Sequence, residues 1–338
     1  MALVLLNGLE DAADLSGGTG TPITLNGRNG SCVGLGTNMP GASTWKLPIP
    51  NPSPYITFGF AYSQWVMPAA MSTTNWTTLL YDGGGTLDHV RLSFGANGQI
   101  ALYTGSTQLG ISAVGVVPAM AWCYVEGQLF CHDTAGTAII RVNGATVLNL
   151  SGVRTKNSTG VNVYAVMSFT PNANQSPVTT TRWDDLYVAT ANGDPFLGDM
   201  KIETLYPNGN GTNNQWLGSD SDSVNNYLLV NEPGNPVTTT NTSDQTPGDQ
   251  DMYTLTDLAS TAGPIPAVCH AVYAAKSDTV TARDLRVVNH GSSDTKSAAV
   301  GLTTSYATYH YAFTQNPDTS AAWTIANVNS LQAGVETV

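Results

Sequence analysis

At 338 residues, with 24 acidic against 12 basic side chains and a net charge of −12, the chain is long enough for two domains with separate cores. Its charge repels nucleic-acid phosphates and anionic lipid headgroups, so no nucleic-acid or membrane partner is expected. Only 11% of residues are charged, and Gly, Thr, Asn and Ser between short apolar runs are the composition of strands joined by turns. No stretch reaches the roughly 20 apolar residues of a membrane span. The opening Met-Ala-Leu-Val-Leu-Leu has no basic n-region and stops at Asn7-Gly8, so it reads as a first β-strand with no classical secretion signal.

Taken in chain order, strand candidates follow at short intervals with almost no 3.6-residue apolar period, which predicts an all-β fold. Tyr55 to Trp65, Thr78 to Tyr81, Val90 to Phe94, Ile100 to Tyr103, Ala121 to Phe130, Ala138 to Leu150, Val161 to Phe169 and Arg182 to Val188 form a plausible sandwich set. Gly83-Gly84-Gly85, Asn97-Gly98 and Asn143-Gly144 supply the positive φ of tight turns. The last two sit between alternating runs and predict hairpins. Ala191-Asn192-Gly193-Asp194-Pro195 is a hinge signal, so the expected domains are 1–195 and 196–338. In the second, Met200 to Leu205 predicts a strand ended by Pro207-Asn208-Gly209-Asn210-Gly211, and Pro233 to Asp251 an exposed polar loop. Ile265 to Ala275, Leu285 to Val288, Ala298 to Leu302 and Tyr306 to Phe313 predict a second, smaller β-sandwich.

Four cysteines in a chain of this length do not make a disulfide framework. Cys123 and Cys131 fall on one predicted strand, about 26 Å apart along it, too far to bridge each other. Buried thiols are the expectation, with a bridge through Cys32 or Cys269 left open.

Catalytic constellations were sought by their chemistry. Glycosidases need two carboxylates flanking the scissile bond, yet the five glutamates, Glu10, Glu126, Glu203, Glu232 and Glu336, form no Glu-x-Asp-x-x-Glu array. Glu126 stands alone and reads as a rim or cross-strand partner. The nucleophile pattern Gly-x-Ser-x-Gly is absent from the sequence, and the neighbours Asp88 and His89 point to opposite faces of a strand. The expectation is a protein with no catalytic residues and no obligatory cofactor. Calcium is the one ion considered: Asp82, Asp184 and Asp185 are its candidate ligands, with Asp88 and the Ser219–Asp222 loop as further acidic positions. The alternative for each is a turn aspartate satisfied by backbone N–H groups. Among the seven tryptophans, Trp65 and Trp122 lie in apolar runs and read as core. Trp76 and Trp216 lie in Asn/Thr/Gly-rich loops, where an indole either stacks on a sugar ring or anchors the loop.

Trp122-Cys123-Tyr124-Val125-Glu126, Arg141-Val142-Asn143-Gly144 with Val147-Leu148, and Trp183-Asp184-Asp185-Leu186-Tyr187-Val188 resemble the later strands of concanavalin A-like (laminin-G-like) domains, over about the first 190 residues. Cys123 stands where that family usually carries an aromatic residue. Phe196-Leu197-Gly198-Asp199-Met200-Lys201-Ile202, Leu205-Tyr206-Pro207-Asn208-Gly209 and Ala321-Ala322-Trp323-Thr324 are similar to bacteriophage and prophage structural proteins that join such a domain to a second β-domain. The resemblance implies a lectin-like jelly roll and a virion-surface protein, either a tail fibre or appendage or a head decoration, assembled in the bacterial cytoplasm. It implies a homo-oligomer, with a trimer favoured, whose partners are other virion proteins and host cell-surface polysaccharide. The rival expectations are a carbohydrate-binding module with a true sugar site and a polysaccharide depolymerase.

Overall fold

The computed structural model describes residues 1–9, 23–28, 31–35, 44–64, 78–82, 87–170, 181–232 and 237–338. The chain divides into two compact units, Met1–Ile202 and Glu203–Val338. The break falls after the Ala191–Pro195 hinge signal, because the residues that follow it remain bonded to the first unit.

Among its described residues the first unit holds fourteen strands: β1 (Leu3–Asn7), β2 (Ile23–Asn26), β3 (Ser31–Leu35), β4 (Trp45–Ser53), β5 (Tyr55–Gln64), β6 (Thr78–Tyr81), β7 (Asp88–Phe94), β8 (Ile100–Thr104), β9 (Thr107–Ile111), β10 (Trp122–Phe130), β11 (Gly136–Val142), β12 (Ala145–Val153), β13 (Tyr164–Phe169) and β14 (Thr181–Ala189). One antiparallel sheet runs β12-β11-β10-β5-β14-β3-β2, with β1 also on β14, and the other runs β4-β13-β6-β7-β8-β9. Their inner faces meet in one core. Alternation explains why: Phe58, Phe60 and Tyr62 of β5, Val125 and Leu129 of β10, and Ile140 and Val142 of β11 point inward, against Leu92, Phe94, Leu102 and Met167 of the facing sheet. Tyr62 stacks on Phe94 with centroids 4.0 Å apart, and Phe60 meets Phe94 and Phe169 edge-on.

Both predicted hairpins form. Asn97 and Gly98 turn β7 into β8, and Asn143 and Gly144 turn β11 into β12, all four with positive φ. Cys123 and Cys131 are buried free thiols. Burial pushes both buried thiols up to about 12, with small Coulombic offsets from Arg28 at Cys123 and from Lys156 at Cys131. The side chain of Cys32, and Trp65 and Gly83–Gly85, lie outside the description. Trp122 is only half-buried, a correction to its reading as core: Cys123 and Val125 take the inner face, so the alternation puts Trp122 on the outer one.

The second unit holds β15 (Pro207–Asn214), β16 (Leu217–Gly218), β17 (Thr242–Ser243), β18 (Gln250–Leu255), β19 (Val268–Ala274), β20 (Asp284–His290), β21 (Asp294–Lys296), β22 (Val300–Gly301), β23 (Ala307–Phe313), α1 (Ile325–Asn329) and β24 (Gln332–Thr337). Its main sheet runs β15-β18-β24-β20-β21, with β22 also on β20, and β19 and β23 form a separate ribbon. Val268, Val272 and Phe313 of the ribbon pack with Val287 of the sheet, Val328 of the capped helix, Leu331 and Trp323, giving a smaller two-layer β-unit. Three expectations change here. Met200 to Leu205 forms no strand, because its first residues are tethered to the first unit through hydrogen bonds described below. The Pro207–Gly211 turn signal instead opens β15, where Gly211 is required: a Cβ there would lie 2.8 Å from the Met252 backbone. The polar stretch before Asp251 ends in β18, an inner strand of the sheet.

Candidate carbohydrate-binding face

Outward-pointing residues of the β12–β2 sheet follow from the same alternation that builds the core. Tyr55, Thr57 and Gly59 of β5 stand beside Phe130, Gln128 and Glu126 of β10, which in turn face Thr137, Ile139 and Arg141 of β11. Half of this face is covered. The segment from Asp194 to Ile202 crosses it as a strap held by polar groups: the Leu197 amide donates to the Tyr187 hydroxyl at 3.2 Å, the Gly198 amide to Glu126 Oε1 at 2.8 Å, and the Ile202 amide to Asp185 Oδ1 at 2.7 Å. Arg28 donates to the Met200 carbonyl at 3.1 Å and pairs with Asp199 at 2.5 Å, while the Arg141 guanidinium lies 4.0 Å over the Phe196 ring. Beneath the strap Tyr124 and Tyr187 stack at 6.5 Å, and Gly59 makes room for them, since a Cβ would come within 2.3 Å of Tyr187. Burial, reinforced by the neighbouring carboxylates, raises both phenols far above their ordinary pKa, so both are neutral donors.

The other half is a recess of about 280 Å³ lined by Tyr55, Thr57, Gln128, Phe130, Thr137 and the Ala191–Gly193 turn. Tyr55 and Phe130 are stacked at 4.8 Å and 14°, with His132 a further 5.5 Å along, and all three rings are half-buried. The Gln128 amide donates to the Asp194 carbonyl at 2.8 Å and to Thr57 at 3.4 Å, which fixes its position and leaves its carboxamide oxygen as an acceptor. His132 accepts from the Thr134 and Ala135 amides, so it closes the turn after β10 and holds its ring against Phe130. A flat aromatic pair flanked by amide and hydroxyl groups offers C–H stacking and hydrogen bonds together, as a sugar ring requires.

The residues singled out from sequence distribute differently. Trp76 lies outside the described residues. Trp216 is half-buried and donates its indole N–H to the Asp249 carbonyl at 3.1 Å, a contact that ties it to its loop. Asp82 accepts from the Leu87 amide at 3.4 Å. Asp184 accepts from the Arg28 and Asp185 amides at 2.8 and 2.9 Å, and Asp185 from Ile202 and the Arg28 guanidinium. Asp185 has φ 51 at an irregularity of β14 that interrupts its pairing with β5. Protein donors therefore meet these carboxylates, and among the described residues no three His, Cys, Asp or Glu side chains converge on one metal position. Glu126 is the cross-strand neighbour of Arg141 but is buried to 1% exposure and accepts from Tyr187 at 2.6 Å.

A second polar group lies on the outer face of the other sheet, where Lys46 sits 4.9 Å over Tyr81 and Arg91 pairs with Asp88. Polysaccharide elimination would ask Arg91 to neutralise a substrate carboxylate and Tyr81 to take a proton. Arg91 is committed to Asp88. Burial raises the Tyr81 phenol, against a hydrogen bond with Ser168, which keeps it protonated and so not ready to take up a proton. His89 is fully buried, accepts from the Asn157 amide at 3.0 Å, and has its pKa lowered chiefly by burial; it forms no dyad with Asp88.

Comparison of the sequence with family models and with curated proteins finds no match. Solved structures similar in fold include the endo-β-1,4-glucuronan lyase from the fungus Trichoderma reesei, at 15% identity over 55% of this chain and 90% of that one, with a TM-score of 0.38. A protein with a galectin-like fold from Bacillus subtilis matches at 14% identity over 56% of this chain and 96% of that one, TM-score 0.36. The metal-free carbohydrate recognition domain of Emp46p matches at 7% over 46% and 81%, TM-score 0.31. At such identities and TM-scores these likenesses assign no role to this chain. The class that the two packed antiparallel sheets define is an all-β sandwich protein.

Proposed function

We propose that this chain is a non-enzymatic structural protein of a bacteriophage particle surface that contacts host glycan through the Tyr55–Phe130 recess of its first unit. The observation that carries the glycan contact is the stacked aromatic pair beside a fixed Gln128 on an outer sheet face. The particle role rests on the residue resemblance in both halves of the chain. A non-catalytic reading is supported by Glu126, whose carboxylate is enclosed under the strap, and by Arg91 and Tyr81, whose partners and surroundings suit structure better than elimination. The net charge of −12 disfavours polyanionic saccharides, so neutral chains are the expected ligands. Assembly as a homo-oligomer, a trimer by analogy with fibres and spikes, would multiply weak single-site contacts.

Calorimetric titration of neutral oligosaccharides against wild type and Tyr55→Ala tests the contact. Loss of binding in Tyr55→Ala with an unchanged fold supports it, and equal binding refutes the assignment of this recess. Immunogold labelling of intact particles tests location: label on tail or head agrees with the particle role, and its absence from every particle contradicts it.

A further inference from the structure

We propose that Asn214, Asn226 and Asp251 of the second unit form a calcium-binding site. Asn214 is the register partner of Asp251 across β15 and β18. Asn226, in the short 3-10 turn Asn226–Leu229, donates its amide to Asp251 Oδ2 at 2.9 Å and to the Trp216 carbonyl at 2.9 Å. Tyr253 donates its hydroxyl to the same Asp251 Oδ2 at 2.6 Å. Asp251 thus has both Asn214 and Asn226 as neighbours, and Asp251 and Asn226 are wholly buried.

Each of them keeps one buried oxygen with no hydrogen-bond partner within 3.5 Å: Asn214 Oδ1, Asn226 Oδ1 and Asp251 Oδ1. The amide orientations are fixed by the network, because Asn226 Nδ2 faces two acceptors and Asn214 Nδ2 bonds the Ser223 carbonyl; flipping either amide would set oxygen against oxygen. Leaving a buried acceptor unmet costs about 1–3 kcal/mol, and three on neighbouring residues would be met at once by one cation between them. Acceptor-only oxygens of one carboxylate and two carboxamides are the donor set of a hard cation, and calcium accepts such mixed oxygen ligation with loose geometry. A proton on Asp251, whose pKa is raised by burial against hydrogen bonds from Tyr253, Asn226 and Thr242, would serve one carboxamide oxygen and leave the other. Spacing rules built on carboxylates pass over this site, since it contains a single one. That single charge places the affinity at the weak end of calcium sites, on the order of 10⁻⁴–10⁻³ M.

The test uses the full chain and terbium as a luminescent probe, with Tyr253 and Trp216 as neighbouring sensitisers. Sensitised terbium emission displaced by millimolar CaCl₂, and a higher Tm of the second unit in CaCl₂ than in EDTA, are expected. Both should vanish in Asp251→Asn. Asn214→Asp, which adds a second carboxylate, should tighten calcium binding by about tenfold and keeps the test decisive should Asp251→Asn fail to fold. Absence of emission and of any Tm change in wild type, an equal response in Asp251→Asn, or no gain in Asn214→Asp would overturn the site in favour of a buried water or a protonated Asp251.

Discussion

The two units solve the same problem, burying the faces of antiparallel sheets, with different material. The first does it with rings: Phe58, Phe60, Tyr62, Phe94, Tyr164, Phe169 and Trp183 are all essentially inaccessible, and polar groups appear on the outer faces. The second has a small buried apolar cluster of Val287, Phe313, Trp323, Val328 and Leu331. Across the strands of its main sheet runs a polar row in which Gln250 donates to Glu336 and to Asp294 at 2.8 Å each, while Arg286 and Lys296 pair with Glu336. Each unit buries a histidine whose pKa burial lowers, His89 in the first and His270 in the ribbon of the second, but in the second hydrogen-bonded carboxylates also hold the main sheet together, which makes its stability the more sensitive to pH.

That contrast can be broken at four points. The largest effect belongs to Phe60→Ala, which should destabilise the first unit by about 3–5 kcal/mol and leave the second unit's transition in place, as denaturation followed by calorimetry would show. Next comes acidification. Burial lowers His270 to about 4, with Asn289 working slightly against it, so its contribution is complete above the unfolded value near 6.5 and is lost as pH falls from there towards 4. The second unit should lose roughly 3 kcal/mol over that window, and His270→Gln should flatten the slope. Glu336 acts in the same direction at lower pH: desolvation raises it, but Gln250, Lys296 and Arg286 outweigh this and leave it lowered. Asp251 acts oppositely, since a raised folded pKa binds the proton more readily in the native state. A pH-independent second unit would end the contrast.

Tyr187→Phe is the third point. It removes the hydroxyl that joins Glu126 to Leu197 and should cost about 1–3 kcal/mol, with limited proteolysis opening first between Asp194 and Ile202. The smallest effect is expected of Trp216→Phe, about 0.5–1.5 kcal/mol for the lost bond to Asp249, with glycan binding unchanged. Binding lost without any change in stability would return Trp216 to the role of a sugar platform.

Legibility in the sequence follows the same division. Strands β5, β7, β8, β10 and β14 were readable because large apolar side chains alternate along them, and the Asn-Gly turns fixed two hairpins. β18, with Gln250 and Asp251 at its start, and β24, Gln-Ala-Gly-Val-Glu-Thr, carry too few apolar residues for that signal; Gln250 and Glu336 find each other across 86 residues of chain. The recess was hidden for a related reason. Tyr55 and Phe130 each end an apolar run, and only the antiparallel register of β5 with β10 sets them side by side. Alternation within β10 placed Gln128 and Phe130 on one face, but nothing local showed that the strap would cover Glu126 and spare them. Asp184 and Asp185 were legible as calcium candidates or as aspartates met by backbone N–H groups, while the identity of their partners, Arg28 and the Ile202 amide, was not.

The account turns on the Tyr55–Phe130 recess, and the most direct measurement is an amide-resolved NMR titration of the first unit's signals in the full chain with a neutral oligosaccharide. It predicts shifts concentrated at the Gln128 side-chain amide, Thr57, Thr137 and Asn192, abolished in Phe130→Ala. Shifts centred on Lys46, Tyr81 and Arg91 instead, or none at saturating sugar, would contradict it.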